Sequence, residues 1–393
     1  MTKKEVKMNR TIERTYVGAK VLESIATSWT FATYVLFLTG LGLPLFQVNL
    51  LNVVFMSISS LLDPFTGNLG DRVGQKRVYL GGLVFWGLGM FIYGNSRIFA
   101  LCAIAEATAA IGHALSSEAL ESWLRNHTTE EVTHRTMSQA QFWGKLATIP
   151  AALLGGYLGS QMGMEWPWFF SFGTSLAAAG LVWWQLRRLP EKPEDNQEEE
   201  AVSLSLLTIA KNAWSDPVLK RAFVAVALLS ASFQPFNMFW APVFREASGK
   251  ADWLGGLWMG IALTTALGSY LATKVKVSAK VLALIVGLIG MPMFLPLVRG
   301  NWIVLMMLPF LVHEIGRSMW APILFTYTNR RIHHRVRTSV NSLRSSAGTI
   351  GAAVGLLVSG WLTFWLSPVQ VWAVSATILL LTAIWIGHWN HEG

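Results

Sequence analysis

Apolar residues run along this chain in stretches of about 20, the length a helix needs to cross a hydrocarbon core of roughly 30 Å. Short polar intervals separate them. The pattern predicts about twelve spans, near 17–40, 46–66, 78–95, 98–124, 136–160 and 166–186, then 219–243, 252–273, 279–298, 302–328, 337–364 and 369–389. The expected fold is therefore an all-α membrane protein. One interval differs from the rest: 187–218 carries Pro190, Pro193 and an acidic run over 191–200, and then Leu204, Leu206, Leu207 and Ile209. It reads as a solvated linker followed by a short amphipathic helix on the membrane surface. The chain thus divides into a six-span half over 1–186, the linker over 187–218, and a second six-span half over 219–393.

Composition agrees with this picture. The chain is 53% hydrophobic and 13% charged with 19 Trp, and its mean hydropathy is +0.43. A soluble chain of 393 residues has too little charge here to cover its surface. Cys102 is the one cysteine, so no disulfide framework forms and helix packing must hold the fold. The net charge of +9 raises nucleic acid as a partner, but the basic residues do not form a single patch. Arg72, Lys76, Arg77, Arg125, Arg135, Arg187, Arg188, Lys192, Lys211, Lys274, Lys276, Lys280, Arg330, Arg331 and Arg335 fall in intervals on one side of the spans. Arg97, Arg245, Lys250 and Arg299 fall on the other. That asymmetry predicts both termini in the cytoplasm of a bacterial-type inner membrane and excludes nucleic-acid binding. Lys3, Lys4, Lys7, Arg10 and Arg14 are not followed by a cleavage-site pattern, so no removable signal peptide is expected. No phosphate-binding loop, paired cysteines for a metal, or nucleophile–base–acid motif occurs, so neither an enzyme, a cofactor nor a metal is expected.

Between spans 2 and 3 the chain reads Gly67-Asn68-Leu69-Gly70-Asp71-Arg72-Val73-Gly74-Gln75-Lys76-Arg77. Three glycines permit a tight reversal, and one acid sits among three basic groups. This interval resembles the loop signature of the major facilitator superfamily, G-x-L-x-D-R-x-G-x-K/R, at every fixed position. The resemblance extends over essentially the whole chain, toward bacterial drug/proton antiporter-like members. It implies two pseudo-symmetric six-helix bundles that rock about a central site and open alternately to each side. It also implies a conformational latch at Gly67, Asp71, Arg72, Gly74 and Lys76, in which Asp71 holds the start of span 11 near Arg337. A helix amino terminus favours an acid there. The counterpart interval 274–280 keeps the basic character and loses the Gly and Asp pattern.

The two halves echo each other elsewhere. Asn126 through Ser138 resembles Asn329 through Ser339, and each is followed by small residues, Ala151 to Gly156 in one and Gly351 to Gly355 in the other. Such a repeat fits two homologous halves around a central cavity. Two departures from the drug–proton antiporter pattern stand beside it. Thr108 occupies the place, four residues before Gly112, where those antiporters carry Arg. The Gly-Pro-x-x-Gly-Gly of their fifth span is here Ile149-Pro150 with four residues before Gly155-Gly156.

Ionisable groups inside spans are costly and are functional candidates by default. On span 4, His113, Ser117 and Glu121 share a face, with Glu118 beside it and Glu106 farther out. Glu118 and Lys145 of span 5 lie at comparable depth and could form a buried pair. His313, Glu314 and Arg317 cluster within a turn of span 10, and Arg344 of span 11 is placed to approach Glu314. These groups either weld neighbouring helices or exchange protons; imidazole titrates near neutrality, and burial can move a carboxyl toward that range. Glu23 on span 1 resembles the membrane-embedded acid of some multidrug transporters of the superfamily, and it can equally pair with Lys20. Asp63, before Pro64, is expected to hold the end of span 2. On span 7, Phe233, Gln234, Phe236, Asn237 and Trp240 lie among Pro235 and Pro242. They suit either a cavity for amphipathic molecules or a kinked, packed helix.

The expected function is secondary transport of a small molecule by a monomer in the bilayer, with protons as coupling ion and export of an amphipathic organic compound. Proton symport of an anionic metabolite is the rival, favoured if Lys145, Arg317 and Arg344 line the cavity. A sensor or scaffold that keeps the fold without transport is the alternative of another class.

Overall fold

The computed structural model describes residues 3–187, 189, 213–249, 254–297, 303–329, 332 and 337–389, with side chains except those of 3–9, 63, 64, 67, 68, 71, 297, 303–305 and 337–339. The expected linker and surface helix over 187–218 fall largely outside them. Among the described residues the chain is all helical: α1 Lys3–Ser28, α2 Tyr34–Gly40, α3 Leu45–Val73, α4 Gln75–Asn95, α5 Phe99–Arg125, α6 Glu130–Met162 and α7 Trp166–Leu186. There follow α8 Pro217–Ser248, α9 Leu254–Ala272, α10 Ala279–Gly290, a 3-10 segment Met291–Leu297, α11 Ile303–Asn329, α12 Arg337–Leu362 and α13 Pro368–Gly387. By length and composition, eight of the helical segments can cross a membrane. With α1–α2, α6, α7 and α11, which carry more polar residues or Trp, they make about twelve spans. Large apolar side chains face outward along them, Leu284, Met291, Leu381 and Ile384 among them, as a lipid-facing surface requires.

Two expected elements come out differently. The first span is broken: α1 stops at Ser28, a turn runs through Trp29–Thr33, and Tyr34 N–H donates to the Thr30 carbonyl at 2.8 Å as α2 starts. The reversal expected over 67–77 is much tighter. Helix α3 continues to Val73 and Gly74 alone separates it from α4, at φ 97°, a backbone geometry that glycine adopts without strain.

The chain forms two compact units, residues 1–197 with 251–259, and residues 198–250 with 260–393. In the first, α1 packs on α6 and α7, and α4 packs on α5 and α7. Small residues let these backbones approach. A Cβ added to Gly82 would lie 2.8 Å from the Gly112 carbonyl oxygen, and one added to Gly155 would fall on the carbonyl oxygen of Trp29. Hydroxyls of α7 donate across to carbonyls, Ser171 to Ala26 at 2.5 Å and Ser175 to Leu83 at 2.7 Å.

In the second unit α12 packs on α8 through the same device. Added Cβ atoms on Gly351 and Gly355 would fall on the carbonyl oxygens of Ala227 and Ala231. Pro235, four residues after Ala231, has no N–H for that carbonyl, so the carbonyl is free of its usual donor where α12 comes nearest. Trp372 of α13 donates its indole N–H to the Pro235 carbonyl at 2.9 Å. The small-residue runs read as an internal repeat therefore do matching work: α6 seats on α1, and α12 seats on α8.

Candidate functional site

Glu106 lies 6% exposed on α5, seven residues inside its start. No Lys, Arg or His forms an ion pair with it among the described residues. Its partners are phenols. Tyr93 of α4 donates to Oε2 at 2.5 Å, and Tyr34, the first residue of α2, donates to Oε1 at 3.3 Å. Asn52 of α3 donates its Nδ2 to the Tyr34 oxygen at 2.9 Å, so the Tyr34 proton is left to point at the carboxyl. Trp168 of α7 stacks on the Tyr93 ring with centroids 4.2 Å apart and fixes its position. Two phenols from two helices thus meet on a carboxyl in an apolar bundle, backed by Asn52 and Trp168 from two more, beside the break in the first span. Each carboxyl oxygen receives one O–H, which suits an anion; taking up a proton requires only that a phenol rotate.

The other acids of this unit are placed differently. Glu23 takes Lys20 as its partner at 3.0 Å, the pair offered by their spacing, and accepts from the Tyr79 hydroxyl at 3.1 Å. Both side chains are about a fifth exposed, and such a pair contributes about 0–1 kcal/mol. Glu121 pairs with Arg125 on its own helix, and Glu13 with Arg135 at 3.0 Å. The Glu118–Lys145 pair does not form. Both residues are exposed, and no ion pair joins them. His113 is also exposed, its ring 5.4 Å from that of Phe55.

In the latch interval, Lys76 turns inward. It is 8% exposed and donates to the carbonyls of Leu186 and Leu189 at 3.4 and 2.7 Å, capping the end of α7. Arg72 is exposed and Gly74 makes the turn. Gly67 lies within α3, and the side chains of Asp71 and Arg337 lie outside the described residues.

In the second unit, His313 has no exposed surface. Its Nδ1 lies 2.9 Å from the Ile289 carbonyl, next to the point where α10 passes into the 3-10 segment. Nδ1 therefore carries the hydrogen. Phe236 packs against the ring at 4.3 Å, with Phe310 stacked at 6.0 Å. Glu314, buried, accepts from Arg317 Nη1 at 3.1 Å, and the Arg317 guanidinium lies 5.3 Å from the centre of the Phe233 ring. Arg344 does not reach Glu314: its guanidinium lies over Phe325 of α11, 4.7 Å from the ring centre. Phe233, Phe236 and Trp240 are buried in the interior of this unit; Gln234 and Asn237, joined at 3.4 Å, are its half-buried polar edge.

Tyr34, Tyr93, Asn52 and Trp168 were not candidates from sequence. Each is an ordinary residue for a span; what distinguishes Tyr34 and Tyr93 is a shared neighbour 72 and 13 residues away, and Asn52 and Trp168 are distinguished by holding those two phenols.

The sequence pattern of the Major Facilitator Superfamily matches residues 18–343. Multidrug resistance protein 1 of Bacillus subtilis (strain 168) is 25% identical over 138 residues, 35% of this chain and 35% of that protein. The match thus spans about a third of the relative's length. Among solved structures, the nucleoside transporter NupG superposes with a TM-score of 0.74 at 14% identity, covering 96% of this chain and 98% of its own. An auto-inhibited POT family peptide transporter gives 0.73 at 13%, covering 98% of both chains. A bacterial homolog of the human lysosomal transporter Spinster, inward-facing and unoccupied, gives 0.72 at 14%, covering 98% of this chain and 95% of its own. At these identities the likeness is one of fold.

Proposed function

The chain belongs to the Major Facilitator Superfamily of secondary transporters, and on that premise we propose that it couples proton movement to export of an amphipathic organic compound by alternating access. It is an integral membrane transporter and not an enzyme. The observation that supports proton coupling is Glu106: a carboxyl buried in a span, without a cation, and held by hydroxyls that can reorient as a proton comes and goes. A structural acid would be expected to carry a counter-ion, as Glu23 and Glu314 do. Export is supported by the multidrug resistance relative. An amphipathic substrate is supported by the polar edge of Gln234 and Asn237 beside the aromatic core of α8.

In this reading residues 1–186 and 219–393 are the two moving bundles, 187–218 links them in the cytoplasm with both termini, and the monomer is the working unit in a cytoplasmic membrane. Glu106 loads a proton from one side and releases it to the other as the bundles rock. Glu106→Gln tests it, because the amide can still accept from Tyr93 while carrying no titratable proton. In everted vesicles given an inward-acid gradient, a panel of neutral, cationic and anionic amphipathic dyes is followed. The wild type is expected to accumulate at least one dye in a protonophore-sensitive way, and Glu106→Gln to lose gradient-driven accumulation while still exchanging that dye. Gradient-driven accumulation unchanged in the variant refutes the assignment. Vesicles that move neither dye nor protons favour a sensor without transport.

A further inference from the structure

Arg344 sits on α12 seven residues after its start at Arg337, among Asn341, Ser342, Ser345 and Ser346, with its guanidinium half-buried and laid on Phe325. No carboxylate pairs with it among the described residues. A cation in a span without a counter-ion is costly, and stacking on an aromatic face offsets only part of that cost. Stacking also leaves the edge of the planar fork, with its five N–H donors, free of the ring. The outward apolar stripe of α12 runs through Ile350, Val354 and Trp361, whereas Arg344 continues the line of Gly348, Gly351 and Gly355 that approaches α8. On α11, Arg317, Ala321 and Phe325 recur every fourth residue and share a face, with the small Ala321 exposed between the larger two. Arg317 is about 12 Å farther along the axis and is already neutralised by Glu314.

We propose that Arg344 on its Phe325 platform is the recognition site for one carboxylate of the transported compound, whose apolar body lies along Ala321 toward the neutral Arg317–Glu314 pair. This rests on the transporter reading and narrows its substrate class to amphipathic organic monoanions. A carboxylate matches the guanidinium fork with two parallel hydrogen bonds, and its charge replaces the missing counter-ion.

The probes are 4-phenylbutyrate and 4-phenylbutyramide, alike in shape and different in charge, added to the purified full chain and read by thermal shift. A ligand that binds only the folded state stabilises it by RT ln(1 + [L]/Kd) and so raises the melting temperature. The wild type is expected to bind the acid about ten- to a hundredfold more tightly than the amide, the range for a charge-assisted hydrogen bond. Arg344→Gln is expected to abolish the preference, Arg344→Lys to keep part of it, and Phe325→Ala to weaken it. Glu106→Gln is expected to keep it in full, which separates failure of this site from failure of the proton site. An equal response to acid and amide, no response to either, or a preference that survives in Arg344→Gln overturns the proposal. So does displacement of the acid by phosphatidylglycerol in nanodiscs of otherwise zwitterionic lipid, which would assign the site to a lipid headgroup.

Discussion

Tyr93→Phe removes one oxygen from the Glu106 network and leaves the ring in place, so the stack on Trp168 at 4.2 Å is preserved. What is lost is the 2.5 Å hydrogen bond to Oε2. A hydrogen bond to a charged group contributes about 1.5–3 kcal/mol and one between neutral groups about 0.5–1.5 kcal/mol. The acceptor has no cation to share the charge, so the higher range applies whenever Glu106 is ionised. In a Glu106→Gln background the same change removes a neutral bond and costs the lower range. The two costs should differ by about 1–2 kcal/mol, a coupling typical of directly bonded groups. Equilibrium unfolding in mixed micelles, read by tryptophan fluorescence, measures all four corners of the cycle. A Tyr93→Phe cost below about 0.5 kcal/mol in the wild type, or equal costs in both backgrounds, would show that Tyr93 does not hold a carboxylate and would refute the network.

Two further outcomes are expected. Gly355→Ala places a methyl group on the Ala231 carbonyl oxygen and should cost about 1–3 kcal/mol in the same unfolding assay, whereas Gly287→Ala, with nothing within 4 Å of the new atom, should be within about 0.5 kcal/mol of neutral. If the latch acts on motion and not on binding, Asp71→Asn should slow turnover about tenfold or more while changing ligand affinity little; equal losses in both, measured by vesicle flux and thermal shift, count against a latch.

The spans were legible because length and hydropathy are local properties, and a helix in lipid must satisfy its own backbone whatever its neighbours do. The break after Ser28 was not: Trp29 to Thr33 contains no proline or glycine, and the turn lies beside a contact made by Tyr34 with groups 18 and 72 residues away. Lys20–Glu23 was readable because partners three apart on one helix meet by geometry alone. Glu118–Lys145 and Glu314–Arg344 were misplaced for the converse reason. Counting from a shared loop gives depth, but pairing across helices also needs the direction each side chain leaves its helix. Each residue turns that direction by about 100°. Glu106 stood out as a costly charge, yet its significance depends on the absence of a cation and the presence of two phenols, and neither is a property of α5. The proline–aromatic motif of α8 was legible as a motif; that its rings build the core around His313 and Trp372 could be seen only once α11 and α13 were in place.

The central claim, that Glu106 is the group on which the transported proton rides, is tested most directly by infrared difference spectroscopy of the reconstituted full chain between alkaline and acidic pH. The carbonyl band of a protonated, hydrogen-bonded carboxyl should appear reversibly on acidification, shift in Tyr93→Phe, and be missing in Glu106→Gln. A difference spectrum that is the same in Glu106→Gln as in the wild type would contradict the account.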